Sequence, residues 1–157
     1  YHWETYKLSA NGNYYSMTKY CLSPSYGTVD NKNILELSDD AANANWGGEW
    51  RMPTKLELME LEDQSTAVWT SYNGIDGMRI IGPNGNSIFL PSGGYRSEYG
   101  GKGKGGSGRY WTSTTDNGWS INGAFTYHWG RNALGTESIG IGSEIKYLGM
   151  PIRAVKD

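Results

Sequence analysis

The residues able to do chemistry are few. In 157 residues there are two histidines, His2 and His128, and one cysteine, Cys21. A catalytic relay needs a nucleophile beside a base that a third group orients, and no serine or cysteine here stands in a recognisable elbow. His128, between Tyr127 and Trp129 in an alternating run, reads as an outward polar position. Asp39, Asp40, Glu57, Glu60, Glu62 and Asp63 supply carboxylates, but helix starts and one helical stretch account for them. A glycosidase needs two carboxylates facing each other across a groove, and none are announced. One Cys and two His make neither an internal disulfide nor a structural zinc set. From Gly93 to Gly108 half the positions are glycine, with Lys102 and Lys104 among them. A phosphate cradle needs a helix directly after it, whereas Tyr110-Trp111-Thr112-Ser113 reads as a strand. The expectation is a chain without catalytic residues, metal or cofactor.

The elements that must position everything else are short. Tyr1 to Val29 alternates rings and polar residues around Asn11-Gly12-Asn13, the pattern of a hairpin. Ser38-Asp39-Asp40 suits a helix start, with a cap residue followed by two acids; the helix Ala41 to Trp46 should stop at Gly47-Gly48. After Pro53, Thr54 and Glu57 form a capping box ahead of Leu56, Met59 and Leu61, which are expected to face one side. Strands are expected at Val68–Tyr72, Met78–Ile81, Ser87–Leu90, Tyr110–Thr114, Ala124–Trp129, Ser138–Ile141 and Met150–Val155. Asn73-Gly74, Asp76-Gly77 and Pro83-Asn84-Gly85 read as turns between them. The glycine-rich stretch 93–108 should hold one conformation only with help from its neighbours. Two helices followed by many strands make an α+β plan in a single domain, 1–157.

Composition narrows the partners. Seven Trp and twelve Tyr place large rings in a chain that is only 37% hydrophobic, so the core rests on aromatics. A formal net charge of -2 leaves no basic excess to neutralise a phosphate backbone, so nucleic acid is not expected. No apolar run approaches the ~20 residues of a membrane helix. The chain opens at Tyr1 without a leader, which reads as a trimmed start, with any signal or lipid anchor outside it.

Several runs occur together in order: Leu35-Glu36-Leu37-Ser38-Asp39-Asp40-Ala41-Ala42, Asn45-Trp46-Gly47-Gly48-Glu49-Trp50-Arg51-Met52-Pro53-Thr54, Gly85-Asn86-Ser87-Ile88-Phe89-Leu90-Pro91, Gly94-Tyr95-Arg96, Tyr110-Trp111-Thr112-Ser113-Thr114 and Gly149-Met150-Pro151-Ile152-Arg153. This series resembles the Fibrobacter succinogenes major paralogous domain, a family of surface and secreted proteins. The resemblance implies a C-type lectin-like fold of the formylglycine-generating-enzyme subtype, with two helices flanking a small, loop-rich antiparallel sheet. Catalytic relatives of that fold use paired cysteines, which the lone Cys21 does not match. Calcium-dependent sugar binding in true C-type lectins resembles a Glu-Pro-Asn or Gln-Pro-Asp triplet, and neither is present. Trp46, Trp50, Met52, Trp111 and Arg153 belong to the family runs and are expected to build the fold, the rings in the core and Arg153 on buried carbonyls or a carboxylate.

The recognition surface is expected in the C-terminal third. If Phe125, Tyr127 and Trp129 point inward, then Trp119, Asn122, Thr126, His128, Arg131, Asn132, Ile141, Glu144, Lys146 and Tyr147 lie on loops or outward strand phases, mixing rings with hydrogen-bonding groups. The function this implies is a non-enzymatic, monomeric, cell-surface or secreted binding and adhesion domain for a glycan or protein ligand. The expected location is extracytoplasmic, either secreted or lipid-anchored as a lipoprotein. The alternative is an assembly module of a surface appendage; a diversified variable ligand-binding protein and an enzyme stand behind both.

Overall fold

The computed structural model describes residues 1–116, 122–131 and 135–156. Both helices follow from their caps. In α1 (Ala41–Trp46) the Asp40 carboxylate accepts from the Ala42 and Asn43 N–H groups, and Gly47, at φ 65°, ends the helix. The cap is therefore Asp40 rather than Ser38, because the same buried carboxylate also accepts from Met52 N–H at 2.8 Å and ties two segments together. α2 (Lys55–Gln64) starts with the reciprocal Thr54–Glu57 capping box. Its inner face is not the expected one. Leu58 is buried and Leu61 packs beside it, three residues apart and hence on one side, whereas Leu56 is 73% exposed and Met59 is also exposed.

Ten strands follow in chain order: β1 (Trp50–Arg51), β2 (Thr66–Tyr72), β3 (Ile75–Ile81), β4 (Ser87–Pro91), β5 (Tyr95–Ser97), β6 (Gly100–Lys102), β7 (Ser107–Asp116), β8 (Gly123–Arg131), β9 (Glu137–Ile145) and β10 (Val155–Lys156). They form four small sheets, β1-β10, β2-β3-β4, β5-β6 and β7-β8-β9, all of antiparallel pairs. Two helices with several small antiparallel sheets make the protein α+β. β2 and β3 turn at Asn73 and Gly74, both at positive φ, the two-residue hairpin that this pair favours. Asp76 and Gly77 are not a turn, because they continue β3 opposite Ser71 and Thr70. The N-terminal segment makes isolated bridges, Ser9 to Met17 and Met17 to Gly27, in place of a regular hairpin. The expected strand Met150–Val155 shrinks to Val155 and Lys156.

The core lies between α2, the β3–β4 hairpin and one face of the β7-β8-β9 sheet. It consists of Leu58, Met78, Ile80, Leu90, Tyr110, Tyr127 and Trp129. Tyr110 and Trp129 stack at 5.2 Å between centroids. The Trp129 ring lies across Gly108, where any Cβ would collide with it. The glycine-rich stretch is held as expected by its neighbours: Gly105 N–H donates to Ser92 O, Arg96 and Gly149 exchange backbone hydrogen bonds, and Arg131 N–H donates to Gly106 O. It is less a loop than expected, since β5 and β6 pair within it.

Candidate functional site

Two exposed rings from the runs around α1 and β1 sit on either side of one turn. Trp46 ends α1 and Trp50 opens β1. Between them Gly47 and Gly48 both take positive φ, a conformation open to glycine without a Cβ penalty. The Asn43 side-chain amide fastens the turn by donating to Gly48 O and Trp50 O, each at 3.0 Å. The two indoles stand 6.3 Å apart at 59°. Trp46 is 60% exposed and Trp50 39%. Ile152, Arg153 and Ala154 close the opposite side of a cleft of about 370 Å³. Lys156 pairs with Glu49 at its edge, 3.3 Å.

This corrects the expectation that Trp46 and Trp50 fill the core and that Arg153 serves buried acceptors. α1 is only six residues long and ends where the chain reverses, so its last ring has nothing beyond it to pack on. Arg153 is exposed. Met52 is buried as expected. Trp111 is half-buried, its indole N–H donating to Leu148 O at 3.2 Å. The signal for the cleft is the spacing Trp-Gly-Gly-Glu-Trp, in which adjacent glycines force a reversal that presents both rings to one side.

Of the ten residues expected to form a C-terminal surface, the eight that are described do not share one. Trp119 and Asn132 lie outside the described residues. Asn122 is buried at φ 53° and donates from its amide to Tyr14 O, so it anchors the N-terminal segment instead of facing solvent. Thr126 is 1% exposed, and its hydroxyl has no hydrogen-bond partner among the described residues. Its strand phase points away from Tyr127, but that face is covered too. Ile141 lies opposite Tyr127 and packs against the core; its phase is inward because β9 repeats the alternation of β8.

His128 is half-buried, and a Cβ on Gly142 would stand 2.6 Å from its Cε1, so the imidazole lies over that glycine. Burial first, and the Arg109 cation second, hold it below the ordinary histidine value. Arg109 pairs with Glu144 across β8 and lies 4.6 Å over the Tyr95 ring. Arg131 is exposed, 3.8 Å from Glu137, beside a groove that includes Thr136 and Ser138. Tyr147 packs edge-on against Trp3 at 5.4 Å. Lys146 lines a separate cleft, and its ammonium donates to Tyr20 O at 3.0 Å.

No family model matches the chain, and no curated protein or solved structure matches it. Among the described residues, no three or more His, Cys, Asp or Glu side chains come together as a metal site, and no helix is long and apolar enough to cross a membrane. Cys21 is a buried free thiol.

Proposed function

We propose that the chain is a non-enzymatic, extracytoplasmic binding or adhesion domain of C-type lectin-like fold, a member of the Fibrobacter succinogenes major paralogous domain family, that takes a glycan or protein ligand. The observation that carries this reading is the exposed Trp46–Trp50 pair facing Arg153 across a cleft. Two indoles left in water at a fixed mutual angle offer flat apolar faces, and Trp and Arg are the residues most often dominant in recognition surfaces. A sugar ring stacks its C–H face on such an indole, while the guanidinium donates to hydroxyls or a carboxylate.

The test is a glycan and protein array screened with the wild-type chain and with the double variant Trp46→Ala, Trp50→Ala. Ligands retained by the wild type should lose at least about tenfold in affinity in the variant, with melting hardly moved, since exposed substitutions usually stay within about 0.5 kcal/mol. Undiminished binding by the variant would place the ligand elsewhere.

A second reading, an assembly module, draws on a different surface. β2 is an edge strand, with Val68 and Tyr72 exposed on the same strand phase and Ile75, also exposed, opposite Tyr72. An open edge with apolar side chains is a template for strand addition by another subunit. Sedimentation across a concentration series separates the readings: self-association abolished by Val68→Lys supports assembly, and a monomer throughout supports a domain that binds foreign material.

A further inference from the structure

Behind the β7-β8-β9 sheet, on the side away from Tyr127 and Trp129, runs a cleft of about 260 Å³ that is lined by neither Trp46 nor Trp50 and shares only Ile152 with their cleft. Its walls are the rings of Tyr6, Tyr20 and Trp111 together with Leu35 and Met52, and Asp39 also lines it. Lys146, just beyond β9, supplies the cation. Its ammonium carries three donors, and the described residues provide one hydrogen bond, to Tyr20 O at 3.0 Å.

The carboxylates around it are committed to other donors. Asp30 accepts the N–H groups of Tyr20, Cys21 and Lys32. Asp39 accepts from Lys19 and from the Tyr20 hydroxyl. Among the described residues Lys146 forms no ion pair. An ammonium in apolar surroundings without a carboxylate partner is costly, and burial draws Lys146 down to about 8, against the opposing pull of Cys21, Asp30 and Asp116.

We propose that this cleft binds a small aromatic monocarboxylate, its ring held among Trp111, Tyr6 and Tyr20 and its carboxylate on the Lys146 ammonium. The size sets the class, because about 260 Å³ falls just below the ordinary range of ligand pockets, which begins near ~300 Å³, and so admits only a small molecule. The charge sets the head group. One ammonium can neutralise one negative charge, and Asp30, Asp39 and Asp116 nearby disfavour a second, which excludes a dianionic phosphate. The rings set the body, since aromatic walls favour a planar apolar partner.

The experiment is calorimetric titration of the full chain with phenylacetate and with its neutral isostere phenylacetamide. Phenylacetate should bind at least about tenfold more tightly. At about pH 8.5 its binding should take up a proton, measured by comparing buffers of different ionisation enthalpy, because pairing restores the charge on Lys146. The titratable groups around Lys146 are Cys21, Tyr6, Tyr20, Asp30, Asp39 and Asp116; burial raises Tyr6 and Tyr20 above the ordinary phenol value, and hydrogen bonds hold Asp30 and Asp39 below the ordinary carboxyl value, so none of these four exchanges a proton at that pH. Lys146→Met should bring phenylacetate down to the affinity of the amide, with amide binding and melting temperature retained as proof of folding. Ala124→Leu, which fills the cleft, should weaken both compounds. Absence of saturable phenylacetate binding to the folded wild type, or equal affinity in Lys146→Met, would overturn the assignment. Neither outcome bears on the Trp46–Trp50 cleft.

Discussion

Thr126 and Tyr127 are neighbours on β8 that face opposite sides of the sheet, and both bury a hydroxyl without a hydrogen-bond partner among the described residues. An unsatisfied buried hydroxyl costs more than the apolar atom that would replace it. Thr126→Val and Tyr127→Phe should therefore leave stability unchanged or raise it by up to about 1 kcal/mol, read from denaturant midpoints. A clear loss in either would mean that the hydroxyl has an acceptor. At the other extreme is Glu57, held by Arg51 through two bonds of 2.7 and 2.8 Å and by the Thr54 N–H. Its carboxyl is pushed down to about 2, first by Arg51. A depressed acid contributes stability above its unfolded value, and the contribution is lost as pH falls through the folded one. Melting temperature should thus drop between about pH 4.5 and 2, and Glu57→Gln should flatten that part of the profile. The half-exposed position of the pair keeps the effect small. The contrast between Glu57 and Thr126 shows what sequence reading reaches. A capping box is written in four consecutive residues, so Thr54 and Glu57 were legible; whether an outward strand phase meets solvent depends on segments such as Tyr1 to Val29, which carry no local sign of where they will lie.

Elements with strong termini were legible for the same reason. α1 and α2 took their expected places because Asp40, Thr54 and Gly47 act within one turn, and Thr54→Ala should cost about 1 kcal/mol by denaturant unfolding. The inward face of α2 was not legible, because Leu56–Met59 and Leu58–Leu61 are both spaced by three and only the partner sheet chooses between them. Glycine-rich 93–108 was half legible. Its composition announced a need for outside support, and the support comes as backbone bonds to Ser92, Arg131 and Gly149. Within it Lys102 is paired to Tyr95 in a strand, while Lys104 sits in an exposed turn. Limited trypsin digestion should cut after Lys104 before Lys102, since cleavage needs a backbone that leaves its ladder. Cleavage first at Lys102 would show that the β5–β6 pair opens more readily than the turn.

At the scale of the whole molecule, the α+β plan was legible from the order of capped helices and turn-punctuated strands, whereas the closure of the chain was not. Two-residue strands such as β1 and β10 leave no periodic trace, yet they pair Trp50 with Lys156 and Arg51 with Val155. Cys21 is a free thiol and no metal site is found among the described residues, so melting temperature should be the same with and without chelator and reductant. A fall of many degrees in chelator would reveal a cation the fold depends on. The β1–β10 pair has a further meaning for the order in which the protein becomes competent. The indoles are joined by one local turn, and hairpins such as β2–β3 can form from adjacent residues within microseconds. Arg153 and β10 lie about a hundred residues further along the chain, and closing so long a loop is the slow kind of contact. The two tryptophans therefore stay bare in any partly folded chain and gain the wall that Arg153 lines only when β1 and β10 close. Recognition by that cleft becomes a report that this long-range closure has been made.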